Sequence, residues 1–396
     1  MSMQLRDQNI DIFCEVIDNF GDAGFSFRLA RALKQHNRSR RIRLFIDDIY
    51  TLKAIAPEID IHSVSQILTG IEIVCMDSYL NGQVQQLTFA PLIIESLACE
   101  IPDLFRTQVY EQAQLIIVIE HLTAERSFES MHGLAAPTGF ETPRYVFAQG
   151  VTSRSGGMLI EDTIIDIINQ HTDQSEWRKK WLEPFRSQLP TDALDFKMGS
   201  LFSYNRSMDN LVDALHALNE NNLMFVLGNL SQASIKQALE NRNVDWISAG
   251  VARLGQAYFL FPEMLHYNDY DSLLFSMDYN FVRGEDSLAR AILAGKPFVW
   301  HSYEQEDNYQ LVKVVALLDV MEAYQDCASK VFEQYRQLLM LYNSKKIENN
   351  LYNLCEYYYS FFHDFVKIQS WVNRFRQDLI LHGGIVPNLD RFIKSL

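Results

Sequence analysis

At 396 residues the chain is longer than one ordinary hydrophobic core supports, so two domains are expected. Hydrophobic residues make up 48% and charged residues 21%, a balance that excludes a disordered chain. The formal net charge of -15 excludes generic binding to nucleic acid or to an anionic membrane, because counterion release needs a basic face.

In chain order, the N-terminus MSMQLRDQNIDIF carries charge where a signal peptide needs its apolar core. Residues 10–17 (IDIFCEVI) predict a first strand, followed by the turn DNFGDAG and a helix from about Phe25 to His36. Further strands are predicted at RIRLFID, GIEIVCM, PLIIES, AQLIIVIE and YVFAQG. Such apolar runs separated by helices fit a parallel sheet covered on both faces. Around Thr152–Pro190 the character changes: TSRSGGMLIED is polar and glycine-containing, and a charged helix with Trp177 and Trp181 follows. A second alternating series then runs through GSLFSY, NLMFVLG, AYFLF, YNFVRG and PFVWHSY. After Glu306 the chain reads as helix to Leu396 and is rich in tyrosine and phenylalanine. The organisation expected is an α/β protein of two Rossmann-like domains facing across a cleft, with a helical C-terminal tail. The N-terminal domain covers 1–175 and is completed by a C-terminal helix at about 370–396; the second covers 176–369. Ligands in such sheets sit at the carboxyl ends of the strands.

The five cysteines, Cys14, Cys75, Cys99, Cys327 and Cys355, are scattered, with no CxxC pair. Zinc sites and a disulfide framework are poorly supported and a reducing compartment fits best. No apolar run approaches the ~20 residues of a membrane span. A cytoplasmic protein is expected. The first strand is not followed by GxGxxG, and GxxxxGK[ST], HExxH and GxSxG are absent, which disfavours nicotinamide dehydrogenases, P-loop NTPases, zincins and α/β-hydrolases.

Three constellations could carry chemistry. Asp18-Asn19-Phe20-Gly21-Asp22 follows the first strand, with two carboxylates on one short loop; Asp22 either meets a ligand or caps the following helix. Arg283-Gly284-Glu285-Asp286-Ser287 lies between a strand and a helix. There free N–H groups and an arginine fork suit a diphosphate. Two acids beside phosphates are electrostatically awkward. They fit better facing hydroxyls or bracing Arg283, and the alternative is capping by Asp286 or Ser287 with an Arg283–Glu285 surface pair. Phe202 and Tyr204 end the first strand of the second series and could stack on a base or serve as core aromatics. Glu95 and Glu120 are weaker candidates, either lining the cleft or buried as caps. His132 and His301 lack ligand spacing and read as packed or surface histidines, and no metal site is expected. The run Tyr357–Phe362 reads as helix packing.

Together the segments IFCEVIDNFGDAGFSFRLARAL, IIESLACEIP, IEHLTAE, SRSGG, LFSY and FVRGEDSLARAILAGKPFVWHSYEQEDNY resemble the protein-arginine rhamnosyltransferases that modify translation elongation factor P. They run from residue 12 to about residue 309 in the expected order. The resemblance implies a GT-B fold, with the acceptor on the first domain and dTDP-β-L-rhamnose on the second, and a last helix crossing back onto the first. It implies an inverting, metal-independent transfer with no cofactor and elongation factor P as protein partner. It implies Asp22 as base or guanidinium orienter, assisted by Asp18, within the Asn19-Phe20-Gly21 loop, and Glu285 as a second essential acid. Arg283, Asp286 and Ser287 would hold phosphates, and Phe202 and Tyr204 the thymine nucleotide. The stretch Met264-Leu265-His266-Tyr267 departs from the family's Phe-x-Pro-Gln element near the base. Inversion requires the base to sit across the cleft from Arg283 and Ser287, on the other domain. A nucleotide-sugar epimerase and a catalytically inert scaffold binding a translation factor are the competing readings.

Overall fold

The computed structural model describes residues 9–18, 20–80, 87–169, 174–240, 242–325, 329–344 and 354–396. Two seven-stranded sheets dominate it. The first contains β1 (Ile10–Cys14), β2 (Ile42–Ile46), β3 (Ser65–Leu68), β4 (Ile71–Cys75), β5 (Leu92–Ser96), β6 (Leu115–Ile119) and β7 (Arg144–Phe147). The second contains β8 (Lys197–Leu201), β9 (Asn222–Val226), β10 (Asp245–Ser248), β11 (Val251–Leu254), β12 (Ala257–Leu260), β13 (Tyr279–Arg283) and β14 (Phe298–His301).

The first sheet runs β3-β4-β2-β1-β5-β6-β7 and the second β10-β11-β12-β9-β8-β13-β14. β3 pairs antiparallel with β4, and β10 and β11 form an antiparallel edge on β12; the other pairs are parallel. The α/β, two-Rossmann, GT-B class with its helical tail is therefore the fold observed. The apolar runs named from sequence are its parallel strands. β3, β10 and β11 have no counterpart among them: β3 and β10 are exposed edge strands without an unbroken apolar run.

The order of the parallel strands reverses between β1 and β5 in the first sheet, and between β8 and β13 in the second. Crevices at the carboxyl ends of the strands open at such switch points. The segments that follow β1, β5, β8 and β13 include the carboxylates, aromatics and arginine singled out from sequence.

The chain divides into two compact units, one of Met1–Asp166 with Asp378–Leu396, the other Ile167–Gln377. In the first, β1, β2, β5 and β6 are buried along their whole length. Phe13 and Phe45 stack with ring centroids 4.7 Å apart at the centre of a cluster with Phe89, Ile93 and Phe105. Truncating Phe13 to Ala there would cost about 3–5 kcal/mol. At the opposite, amino end of the strands Arg43 grips buried Asp11 at 2.7 and 2.5 Å, and Asp11 also accepts from Ala90 N–H. The helix Ile385–Ser395 closes this unit: Ile385 N–H donates to Met158, Asn388 to Gly156, and Phe392 packs on His132 and Phe147. The SRSGG stretch thus serves as a docking seat for the C-terminal helix.

In the second unit Met198, Leu223, Phe225 and Leu260 form the core under the sheet. The helix Cys355–His363 buries Tyr358, Phe361 and Phe362, with rings against Tyr279 and Phe281, so this aromatic run packs as expected. Cys14, Cys75 and Cys99 are buried free thiols and Cys355 is half-buried; Cys327 lies outside the described residues. No helix among the described residues is long and apolar enough to cross a membrane.

Candidate functional site

The first unit's candidate residues sit just past β1. The helix expected from about Phe25 begins at Phe20 instead and runs to His36, so DNFGDAG is mostly helix. The reason lies in Asp22, which is 4% exposed on the first turn. Its Oδ2 accepts the backbone N–H of Ile17 at 2.8 Å and of Asp18 at 2.6 Å. The carboxylate thereby folds the preceding loop back onto the helix start, as the third residue of a capping box does. Capping and a functional role are compatible here, because both bonds fall on one oxygen. Gly21 lets Asp18 approach: a Cβ at residue 21 would lie 3.1 Å from Asp18 Oδ2. Asn19, expected beside them, lies outside the described residues. Phe20 is the first residue of the helix and half-buried.

At the neighbouring carboxyl end of β5, Ser96 Oγ meets Ser26 Oγ of the first helix at 2.8 Å, both buried. Leu97 and Ala98 follow in left-handed backbone, φ 54° each, a conformation non-glycine residues hold only under surrounding constraint. Glu95 is turned into the protein: Arg144 donates to its Oε2 at 2.9 and 2.6 Å and Tyr110 to its Oε1 at 3.1 Å. Burial holds the Glu95 carboxyl above the usual carboxylate range, opposed by Arg144, and burial with Glu95 pushes the Tyr110 hydroxyl up to about 12. Glu95 is a structural ion pair and leaves the list of ligand contacts. Glu120 contributes backbone bonds, its N–H to Phe147 and its carbonyl from Gln149.

Beside β1, two adjoining recesses of about 460 and 470 Å³ open at the ends of β2 and β4. Asp47 and Asp77 line both, with Asp48 and Tyr50 in one and Glu15 and Glu100 in the other. Burial raises the Asp47 carboxyl although Val16 and Asp48 N–H groups donate to it.

The second unit's candidate residues gather where β8 and β13 end. Arg283 is the last residue of β13, and Gly284, at φ 68°, turns the chain into the helix Gly284–Ala294. Trp300 Nε1 donates to the Gly284 carbonyl at 2.9 Å and fixes that turn. Glu285 and Asp286 occupy the helix's first turn, so neither Asp286 nor Ser287 is its cap. The N–H groups of a helix's first turn have no partner within the helix, and here that turn follows directly on the end of β13. Arg283 is 9% exposed; its Nη1 donates to the Ser203 carbonyl at 3.3 Å. Its guanidinium carbon stands 4.2 Å from the Phe202 ring centroid and 4.9 Å from that of Tyr204. Phe202 is itself pinned by its N–H to the Phe281 carbonyl and by an edge contact with Tyr270. Burial pushes the Tyr270 hydroxyl up, with Ser287 opposing and Asp286 adding to it. Arg283 and the pair Phe202 and Tyr204, which lie in two separate constellations in the sequence, are brought together by the fold.

Glu285 has a partner no sequence spacing revealed. Lys313, on the helix Gln310–Met321, donates to its Oε1 at 2.9 Å, with the two side chains 12% and 13% exposed. His301, at the end of β14 opposite Arg283, is buried between Tyr204 and Tyr342 with ring centroids 5.2 and 5.1 Å away. Burial, then Arg206 and Arg283, hold its imidazole well below the ordinary value. His132 is also packed: its Nδ1 accepts from Ala148 and burial lowers it. In the stretch Met264–Tyr267, Leu265 packs on the core and Met264 is exposed.

The family described as Elongation-Factor P (EF-P) rhamnosyltransferase EarP matches residues 10–394. Among similar proteins, the protein-arginine rhamnosyltransferase of Pseudomonas putida is 31% identical over 320 residues, spanning 78% of this chain and 80% of its own. That of Shewanella oneidensis is 30% identical over 341 residues, spanning 80% and 82%. A solved structure described as the structural basis for EarP-mediated arginine glycosylation of translation elongation factor EF-P covers 98% of this chain and 99% of its own. Its TM-score is 0.64 at 19% identity, a likeness of fold.

Proposed function

The chain belongs to the EF-P rhamnosyltransferase family EarP, and from that premise we propose that it moves L-rhamnose from dTDP-β-L-rhamnose to an arginine of EF-P with inversion. It is a protein-arginine rhamnosyltransferase. The donor, the acceptor, the stereochemistry and the residue roles are our reading. The observation that carries it is Arg283, held against Phe202 and Tyr204 at the mouth of the helix Gly284–Ala294. That arrangement supports a diphosphate there: a fixed cation and free helix N–H groups stabilise the leaving group as the glycosidic bond breaks. Ser287 would add a hydroxyl, and Phe202 and Tyr204 would border the nucleotide.

The nucleophile is difficult, because a free guanidinium has a pKa of about 12.5–13.8. Asp22 cannot strip that proton beforehand. It can hold the guanidinium in place and accept the proton as the C–N bond forms. Its Oδ2 is committed to the backbone N–H groups of Ile17 and Asp18, which fixes the carboxylate's direction. Oδ1 is then the oxygen offered to the acceptor, with Asp18 beside it. Proton acceptor and diphosphate ligands belong to different units, so turnover needs both. No cofactor or metal is called for in this reading, since Arg283 and the helix terminus supply the positive charge. A translation factor as acceptor places the reaction in the cytoplasm.

The test is the intact mass of unmodified EF-P after incubation with the protein and dTDP-β-L-rhamnose. A gain of one deoxyhexose, mapped to an arginine by fragmentation, is the expected result. No gain while dTDP-rhamnose still binds would reject EF-P as acceptor; no nucleotide binding would reject the Arg283 site.

A further inference from the structure

Two acids at a diphosphate site need an explanation, and the Lys313–Glu285 contact supplies one. Glu285 lies in the first turn of the helix whose N–H groups, with Arg283, face the proposed donor. Its side chain is only 13% exposed, so water screens its charge poorly. Uncompensated, it would repel a diphosphate and compete for the same N–H groups. Lys313 reaches it from the helix Gln310–Met321, Nζ 2.9 Å from Oε1, with its own side chain 12% exposed. Neither residue is a sequence neighbour of the other, and the lysine stem is held out of solvent along its way to the carboxylate.

We propose that Lys313 is a positioning residue for the donor site: it neutralises Glu285 and draws the carboxylate towards the helix Gln310–Met321, leaving the helix mouth to the diphosphate. This inference rests on the donor reading above. Lys313 acts through Glu285 and does not itself touch the nucleotide. A compact point charge on a flexible four-carbon stem suits that task.

The experiment is isothermal titration of the full chain with dTDP, alongside thermal unfolding of each variant. K313M keeps the apolar stem and removes the charge. It is expected to raise the Kd for dTDP about tenfold, equivalent to about 1.4 kcal/mol, while K313R, which keeps the charge, stays within about threefold of the parent protein. The double variant K313M/E285Q is expected to return to within about threefold as well, because the charge that needed a partner is gone. E285Q alone is expected to bind dTDP at least as tightly as the parent. A purely structural lysine would lower the melting temperature of K313M and leave the Kd of its folded fraction unchanged; that result overturns the proposal. So does a double variant as weak as K313M, which would make Lys313 a direct phosphate contact. If K313M fails to fold, E285Q and the double variant still decide. Failure of the unaltered protein to bind dTDP would reject the donor reading and this inference with it; binding by the parent with no effect of K313M rejects the inference alone.

Discussion

The Arg283 guanidinium carbon stands 4.2 Å from the centroid of the Phe202 ring, and the same group donates to the carbonyl of Ser203, the next residue. A strand-end arginine is thus held over one aromatic ring and hydrogen-bonded beside it before any ligand arrives. Lysine cannot reproduce this, because an ammonium lacks the planar fork that stacks and donates together. R283K is therefore expected to lose about tenfold in dTDP affinity, since a pre-positioned planar fork that can donate twice to a phosphate gives way to a mobile point charge. Titration calorimetry checks it; an R283K protein binding dTDP as tightly as the parent would remove Arg283 from the donor site.

Asp22 should separate chemistry from binding. D22N keeps an oxygen that can accept the Ile17 and Asp18 N–H groups but cannot take a proton. The expected outcome is a fall in turnover of about 10²–10⁴, with dTDP affinity unchanged. D22A should in addition lose about 1–3 kcal/mol of stability, because two backbone donors near the helix start lose their acceptor. Transfer assays and denaturant melts distinguish the two. An inert scaffold would show no turnover to lose, and an epimerase would act on the sugar nucleotide without EF-P.

Glu95 and Arg144 belong to the stability of the first unit. R144A leaves a carboxylate that is 2% exposed without its cation, and a loss of about 3–5 kcal/mol is expected. Urea denaturation measures it, and a loss below about 1 kcal/mol would mean the pair behaves as a surface contact.

His301 makes stability depend on pH. Its folded pKa lies well below the ordinary 6.5, so the unfolded chain binds a proton that the folded protein refuses. The stabilising contribution is complete above about pH 6.5 and is lost as pH falls below it, with more lost the further pH drops. His132 is lowered in the same direction. Melting temperatures at pH 7.5 and 5.5 should show a smaller acid-side drop for H301N than for the parent. An equal drop would mean that His301 titrates normally in the folded protein.

Metal dependence offers a further check on the leaving-group chemistry. With Arg283 and a helix N-terminus carrying the charge, transfer is expected to survive EDTA. Activity that vanishes with EDTA and returns with a divalent cation would reject that account.

Much of the fold was legible in the sequence because a parallel strand covered on both faces is mostly apolar, its few charges paired inside. IDIFC, IRLFI, LIIES and LIIVI announce themselves on that ground alone. The exposed edge strands SQIL and DWIS carry no such requirement and passed unseen. The helix start was misplaced by five residues, because DNFGDAG reads as a turn while Asp22's reach back to Ile17 and Asp18 stabilises it as helix.

The sequence by itself determined the two α/β units, the main parallel strands, and the Asp18/Asp22 and Arg283–Ser287 segments at the ends of two of them. These follow from patterns local in the chain: apolar runs, glycines at turns, polar residues just after strands. Only the tertiary structure decided the partners of the charges. It turned Glu95 inward to Arg144, set Glu285 against Lys313, and buried His301 between two tyrosines. Which carboxylate meets a cation and which is offered to a ligand depends on side chains brought together from distant parts of the chain, and a one-dimensional pattern does not specify those distances.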